Sequence, residues 1–210
     1  RDVQIKGENC EVKVKANDQL ITYATRGMEP LRGFPQFLKA LPKVLQNNPD
    51  LKVIIGGRDR AAYGPAAPSH DGSWKKRIFA ELGEFEGKDN IYFPGLMNYE
   101  NYRLMLNRTD LHCYFTLPYV TSWSLFEAYA CGAPILTNSS EATTGVLAFP
   151  EDNIINNIEN LCTLEGTEQI LRLLKNKRVH PTPTLPAIFS LKQCLQTWQK
   201  FINQTLTVVE

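Results

Sequence analysis

Short apolar runs typical of buried strands alternate with helical patterns along residues 19–138 of this chain. The run LKVIIGG at 51–57 is apolar apart from Lys52 and is closed by glycines, whereas FPQFLKALPKVLQNN at 34–48 spaces its apolar residues as an amphipathic helix does. Strands separated by helices of about ten residues are typical of repeated βαβ units, which form parallel sheets covered on both faces. The sequence therefore predicts an α/β fold, a Rossmann-like parallel sheet with helices on both faces.

The same patterns predict the individual elements and the division of the chain. The predicted strands are 19–25, 51–57, 90–95, 110–116 and 134–138, and the predicted helices are 34–48, 74–85, 98–108, 122–132 and 190–204. Pro42 is expected to weaken or kink the first helix. We expect residues 1–18 to be a leading or interdomain segment and residues 19–178 to form the Rossmann-like domain. Residues 179–210 would be a Pro-rich connection followed by a helix that packs back on that domain.

The composition excludes several classes of protein. A net charge of +1 argues against binding of a nucleic-acid backbone, and no run approaches the length of a membrane span. The five cysteines are odd in number and contain no CxxC pair, which favours reduced thiols over disulfides or a zinc site. The predicted location is cytoplasmic, and peripheral attachment of a full-length protein to a membrane stays open.

Two arginines in the stretch TRGMEPLRGF stand six residues apart, and each is followed by glycine. Arg26 and Arg32 directly follow a predicted strand, and ligands of open parallel sheets bind at such strand-to-helix loops. A guanidinium can grip phosphate bidentately, and Gly27 and Gly33 would let the backbone approach a ligand closely. The alternative is a solvated turn that carries two exposed arginines.

The stretch TSWSLFEAYACG predicts a second anion-binding element. A helix that begins near Ser122 presents free backbone N–H groups and the positive end of its dipole. Ser122, Trp123 and Ser124 would cap that helix and offer amides and hydroxyls to a phosphate, although simple N-capping explains the serines as well. Glu127 lies one turn further on an apolar face, where a carboxylate needs a hydrogen-bonding partner. It could also serve only to stabilise the helix N-terminus.

Four motifs in register carry a family resemblance over residues 19–147. RGMEPLRGF, GGRDRAAYG, FPGLMNYENY and SWSLFEAYACGAPILTNS resemble the C-terminal domain of the group 1 (family 4) retaining glycosyltransferases of GT-B architecture. The resemblance implies two Rossmann-like domains, of which the C-terminal one binds a nucleotide-sugar donor. It also implies that this chain lacks the N-terminal acceptor-binding domain and needs it for activity.

The resemblance assigns roles to individual residues. It implies catalytic roles for Arg26, Arg32 and Glu127, and donor-binding roles for Gly27, Gly33, Leu96, Tyr119, Ser122, Trp123 and Ser124. Glu127 would accept hydrogen bonds from the ribose hydroxyls, and Leu96 would lie near the base. No Asp-x-Asp signature is present, so neither a metal nor another cofactor is expected.

Two positions depart from the family pattern and keep a second function open. Tyr119 stands where the family has the first glutamate of its E-x7-E motif, and Gly145 stands where a later glutamate is usual. The first reading is the donor-binding half of a glycosyltransferase. The second is a module that binds a nucleotide or nucleotide-sugar without catalysis. Coding sequence for one more domain upstream would favour the first reading.

Overall fold

A computed structural model of the chain describes residues 1–117, 121–175 and 186–206. Its strands are β1 (Val3–Lys6), β2 (Glu11–Val14), β3 (Leu20–Gly27), β4 (Lys52–Arg58), β5 (Ile91–Gly95), β6 (Leu111–Tyr114), β7 (Ile135–Asn138) and β8 (Ile154–Ile155). Its α-helices are α1 (Phe34–Asn47), α2 (Trp74–Leu82), α3 (Tyr99–Arg108), α4 (Trp123–Ala130), α5 (Leu164–Lys175) and α6 (Leu191–Leu206). Six strands form one sheet in the order β5-β4-β3-β6-β7-β8, and every pair in it is parallel. The predicted parallel α/β sheet is confirmed.

Two hydrophobic cores cover the two faces of the sheet. Side chains of α1, α2 and α5 pack on one face, where β3 contributes Ile21 and Tyr23. Side chains of α3, α4 and the β1–β2 hairpin pack on the other face, where β3 contributes Leu20. Successive residues of a strand point to opposite faces, so the continuous apolar runs of these strands follow from burial on both sides.

Two local details differ from the sequence prediction. β3 continues through Arg26 and Gly27, so Arg26 is the second-to-last residue of the strand rather than part of the following loop. α1 also runs through Pro42 without interruption, and most of its inward face is fully buried. Tertiary packing of this face therefore outweighs the lost hydrogen bond and the steric preference of one proline.

The leading segment 1–18 forms an antiparallel β1–β2 hairpin. Its alternating buried residues, Ile5, Val12 and Val14, join the core beneath α3 and α4. The hairpin tip lies on the end of β5, where the Glu8 amide donates to the Leu96 carbonyl oxygen at 2.9 Å. The segment is thus part of the folded domain and supports the loop after β5.

The C-terminal helix α6 forms within one residue of its predicted start, but it does not pack back on the domain as expected. Its large apolar side chains are half or more exposed: Leu191, Leu195, Trp198, Phe201 and Ile202. The physical reason is that other helices and the hairpin already cover both faces of the sheet. The predicted connection at 179–185 lies outside the described residues. Of the helices described, none is long and apolar enough to cross a membrane.

Candidate functional site

The sheet order brings the ends of two distant strands side by side. β3 pairs directly with β6, with Ile21 opposite Leu111 and Tyr23 opposite Cys113. The segments that follow parallel strands emerge at the same edge of the sheet, which is where ligands of such folds bind. The Arg26–Arg32 segment, which begins at the end of β3, therefore meets the start of α4, which follows β6.

A cavity of about 390 Å³ lies where these segments meet. Arg26 and Arg32 line it together with Ser122, Trp123 and Ser124. The two guanidinium groups and the N-terminus of α4 thus converge on one space, as the anion hypothesis requires. Arg26 is exposed, as in a solvated turn, but Arg32 is only 9% exposed, which a turn carrying two exposed arginines does not account for.

Arg32 is a buried cation whose hydrogen-bond partners are neutral. Its Nη1 donates to Thr116 Oγ1 at 3.1 Å and, more weakly, to Tyr114 Oη at 3.4 Å. In the described part of the chain, neither Arg32 nor Arg26 forms an ion pair with a carboxylate. A dehydrated charge without a countercharge is costly, so the pocket holds positive charge ready for an anion.

Gly27 and Gly33 are required for close packing within the chain rather than for close approach of a ligand. Gly33 adopts a φ of 64° between a short 3₁₀ turn and α1, and an added Cβ would lie 2.8 Å from Phe115 Cβ. A Cβ on Gly27 would lie 2.6 Å from the Arg60 carbonyl oxygen. Neither glycine lines a cavity described here. The close approach that they permit is to other segments of the chain.

The start of α4 is held by its own cap and by a neighbouring strand. Ser122 is the N-cap, and its hydroxyl accepts the Ser124 amide at 3.4 Å. The Ser122 amide donates to Tyr114 Oη at 3.1 Å. Burial raises the pKa of the Tyr114 hydroxyl, which therefore stays neutral at physiological pH. Trp123, in the first turn, is 84% exposed.

A second cavity of about 220 Å³ adjoins the first and shares Arg26, Ser122 and Ser124 with it. Glu127 and Tyr102 form part of its wall. The buried Tyr102 hydroxyl lies near the Glu127 carboxylate, although no hydrogen bond of normal geometry joins them. Burial, and secondly the negative charge of Glu127, raise the pKa of Tyr102. This cavity therefore offers a carboxylate and a neutral hydroxyl as polar groups.

Leu96 also lines the second cavity, but its backbone is already engaged. Its carbonyl oxygen accepts the Glu8 amide, and its own amide donates to Glu8 Oε2 at 3.4 Å. The residue as a whole is 36% exposed and forms part of the cavity wall.

The structure therefore gathers most of the residues predicted from the sequence. One or both cavities include Arg26, Arg32, Leu96, Ser122, Trp123, Ser124 and Glu127, whereas Gly27 and Gly33 lie behind the walls. Tyr119 lies outside the described residues. Sequence reasoning missed Tyr102 and Tyr114 as wall residues. Tyr114 lies near the carboxyl end of the predicted strand 110–116, and this position close to the ligand-binding edge was a usable signal.

Across the described ranges, no three His, Cys, Asp or Glu side chains come close enough to hold a metal ion. His112 is fully buried in β6 and outside both cavities. Its Nδ1 pairs with the Thr22 hydroxyl at 2.9 Å, and burial lowers its pKa to about 3. It is therefore a core residue.

Comparison with known proteins identifies similar domains. A family model described as glycosyl transferases group 1 matches residues 6–178. No curated protein matches the chain significantly in sequence. Three solved structures illustrate the similarity in fold.

The pneumococcal O-GlcNAc transferase GtfA, solved with UDP and GlcNAc, is 14% identical with a TM-score of 0.66, covering 97% of this chain and 38% of GtfA. A glycosyltransferase from Rickettsia africae is 16% identical with a TM-score of 0.63, covering 91% of this chain and 49% of that enzyme. The C-terminal domain of a group 1 family protein, LpcC, from Francisella tularensis is 15% identical with a TM-score of 0.55, covering 81% of this chain and 80% of that domain. This chain thus spans about two fifths of GtfA and about half of the Rickettsia enzyme.

Proposed function

Because the chain belongs to the group 1 glycosyltransferase family, we propose that it is the donor-binding domain of a retaining glycosyltransferase. The ligand would be a nucleotide-diphospho-sugar that spans the two adjoining cavities. The observation that carries this proposal is Arg32, a buried cation with neutral partners that faces the larger cavity beside Arg26. Two cations and a helix N-terminus at one point suit a diphosphate better than they suit a neutral ligand.

The chemistry of transfer gives the two cations a function. Cleavage of the bond between sugar and diphosphate leaves a nucleoside diphosphate, and negative charge develops on its leaving oxygen. Cations that are already fixed at that oxygen stabilise the transition state more than the ground state. Arg32 is suited to this task because its surroundings hold it in place before a ligand arrives.

Glu127 would select the nucleoside part of the ligand. Glu127 lines the smaller cavity and lies one helical turn beyond Ser122 to Ser124, the residues that we expect to contact the diphosphate. An ionised carboxylate accepts two hydrogen bonds from a vicinal diol, which suits the two ribose hydroxyls. The Tyr102 hydroxyl nearby would supply a further polar contact.

The proposal names UDP as the first ligand to test. GtfA was solved with UDP and GlcNAc, and another structure of this fold was solved with UDP-2-fluoro glucose. Transfer to an acceptor requires a closed cleft that excludes water and holds the acceptor in line. We therefore expect this chain alone to bind the donor and to transfer no sugar, and we expect transfer when an acceptor-binding domain faces the site.

A second candidate function is binding of a nucleotide-sugar without catalysis. Gly145 occupies the position of an expected glutamate, and a Cβ there would lie 2.7 Å from the Glu141 carbonyl oxygen. The backbone around this position therefore leaves no room for the missing side chain. This observation favours a site that binds but lacks part of the usual contacts to the sugar.

Calorimetry with pyrophosphate, uridine, UDP, GDP, ADP and their sugar conjugates tests the proposal. We expect at least one nucleoside diphosphate to bind, and we expect Arg32→Ala to weaken it, most strongly at low salt. Glu127→Gln should weaken nucleoside diphosphates but hardly affect pyrophosphate, because it removes hydrogen bonds to hydroxyls.

The matched control is Glu168→Gln, which changes an exposed carboxylate on α5 that lines neither cavity. It should leave every affinity unchanged. The donor-site proposal fails if Arg32→Ala and Glu127→Gln both bind the whole panel as tightly as the unmodified chain. A chain that binds UDP-sugar, joined to its facing domain, yet transfers no sugar would instead support the binding-module alternative.

A further inference from the structure

A second buried charge lies between the two arginines along the chain. Glu29 is fully buried, and its carboxylate accepts the backbone amides of Ala62, Tyr63 and Gly64 at 2.8 to 3.2 Å. Three successive amides that converge on one acceptor form an anion-binding nest. Here the chain itself supplies the anion, and the nest fastens the long loop after β4 to the Arg26–Arg32 segment.

The packing around this contact is tight on both sides. An added Cβ on Gly64 would lie 3.2 Å from Leu31 Cγ, and one on Gly27 would lie 2.8 Å from Ala62 Cβ. The loop at 60–64 therefore lies directly on the 27–31 segment. A buried carboxylate is costly unless hydrogen-bonded, so the position of this loop depends on the three amide contacts.

The residue that the nest positions is Tyr63. Its hydroxyl accepts a hydrogen bond from Arg26 Nη1 at 3.1 Å. Its ring centroid is 5.7 Å from Cζ of Arg26 and also 5.7 Å from Cζ of Arg32. The ring is 48% exposed and lines the larger cavity. One aromatic ring thus touches both cations of the proposed diphosphate site.

A ring in this position has a definite electrostatic effect. Arg26 and Arg32 carry like charges and line the same cavity, so their two guanidinium groups repel each other. The negative face of an aromatic ring attracts a guanidinium within about 6 Å. The ring therefore counteracts the repulsion without neutralising either charge, so the cations stay available to a ligand.

We infer that Tyr63 is a positioning residue of the anion site, which holds both guanidinium groups towards the cavity, and that Glu29 acts through it by fixing the loop. The inference deepens the proposed function and rests on it for the identity of the anion. Tyr63 and the start of α4 line the same cavity, so the diphosphate of a bound donor would be within reach of both.

Three substitutions separate the contributions. Tyr63→Leu removes the ring, Tyr63→Phe keeps the ring and removes only the hydroxyl, and Glu29→Gln weakens the nest. Calorimetry with pyrophosphate and UDP should show a loss of about 5- to 30-fold for Tyr63→Leu, since two cation–π contacts are removed. Tyr63→Phe should restore affinity to within about threefold of the unmodified chain, because the ring contacts are retained. Rescue by phenylalanine would not be expected if Tyr63 mattered only through its hydrogen bond.

The double variant Glu29→Gln/Tyr63→Leu tests whether Glu29 acts through Tyr63. If it does, the double variant binds pyrophosphate no more weakly than Tyr63→Leu alone, and amide hydrogen exchange at 62–64 becomes faster in Glu29→Gln. Losses that multiply would overturn the role assigned to Glu29.

Nuclear magnetic resonance of the arginine side chains makes the result independent of the ligand. In the ligand-free chain, Tyr63→Leu and Glu29→Gln should both increase the mobility of the Arg26 and Arg32 Nε–H groups. Unchanged Nε–H signals in both variants would overturn the inference, whatever the chain binds. Failure of every nucleotide to bind would instead count against the proposed function, while these signals would still decide the role of Tyr63.

Discussion

Replacement of Arg32 by methionine should remove donor binding without unfolding the domain. Arg32 is 9% exposed, and within the described residues its guanidinium donates hydrogen bonds only to neutral oxygens. Its loss leaves the Thr116 hydroxyl donating to the Leu117 carbonyl oxygen at 3.0 Å, and the Tyr114 oxygen still accepts the Ser122 amide. Methionine fills a similar volume and takes an uncompensated charge out of the interior. We therefore expect the free energy of unfolding of the ligand-free chain to change by less than about 1 kcal/mol or to rise.

The same substitution should weaken binding of a nucleoside diphosphate strongly. A hydrogen bond to a charged group contributes about 1.5–3 kcal/mol, which corresponds to a loss of roughly 10- to 150-fold in affinity. Urea unfolding measures the stability, and calorimetry with UDP measures the affinity. For Arg32→Met we expect a large loss of affinity with little change in stability, because the charge of Arg32 contributes to ligand binding rather than to folding.

Arg108 offers the matched control, since it is a second buried arginine but is paired with a carboxylate, whereas Arg32 has neutral partners. It pairs with Asp110 at 3.1 Å, donates to the carbonyl oxygens of Lys15 and Asp18, and is 5% exposed. Arg108→Met removes the cationic partner of Asp110 and the side-chain donor to two carbonyl oxygens. It should lower the free energy of unfolding by about 3–5 kcal/mol, while the remaining folded chain keeps its affinity for UDP. The reasoning is refuted if Arg32→Met destabilises the chain as much as Arg108→Met and leaves UDP binding unchanged.

Two further predictions concern the scaffold of the site. Because burial lowers the pKa of His112 from 6.5 to about 3, the unfolded chain takes up a proton first as the pH falls, and stability is lost from about pH 6.5 downwards. Between pH 8 and pH 5 the free energy of unfolding should fall by about 2 kcal/mol, and urea titrations should show a flatter pH dependence for His112→Asn, whose amide can keep the contact with Thr22. Gly33→Ala should lower the free energy of unfolding by about 2–4 kcal/mol, because it combines a left-handed conformation with overpacking against Phe115. Gly72→Ala, which also has a positive φ but a nearest neighbour at 3.2 Å, should cost less in the same assay, and equal losses for the two glycines would contradict the packing argument.

The sequence by itself determined the family and most of the elements, whereas β1, β2, β8 and α5 were not predicted from it. Apolar runs closed by glycines predicted the strands, helical spacing predicted α1 to α4, and all of these appear close to the predicted bounds. These features are local, because hydrophobic periodicity reports which face of a segment is buried. Arg26, Arg32 and Ser122 could also be named from local sequence. An anion site needs cations and a helix N-terminus, and both can be recognised in short motifs.

Only the tertiary structure decided which of these segments meet. The pairing of β3 with β6 joins residues about ninety positions apart, and no local pattern encodes which parallel strands become neighbours. The nest in which the amides of 62–64 bind the Glu29 carboxylate could not be predicted from the sequence either, because backbone amides have no sequence signature. The exposed apolar face of α6 shows the same limit: the sequence predicts that a face is apolar, but whether it is covered depends on the surfaces that the rest of the fold leaves uncovered.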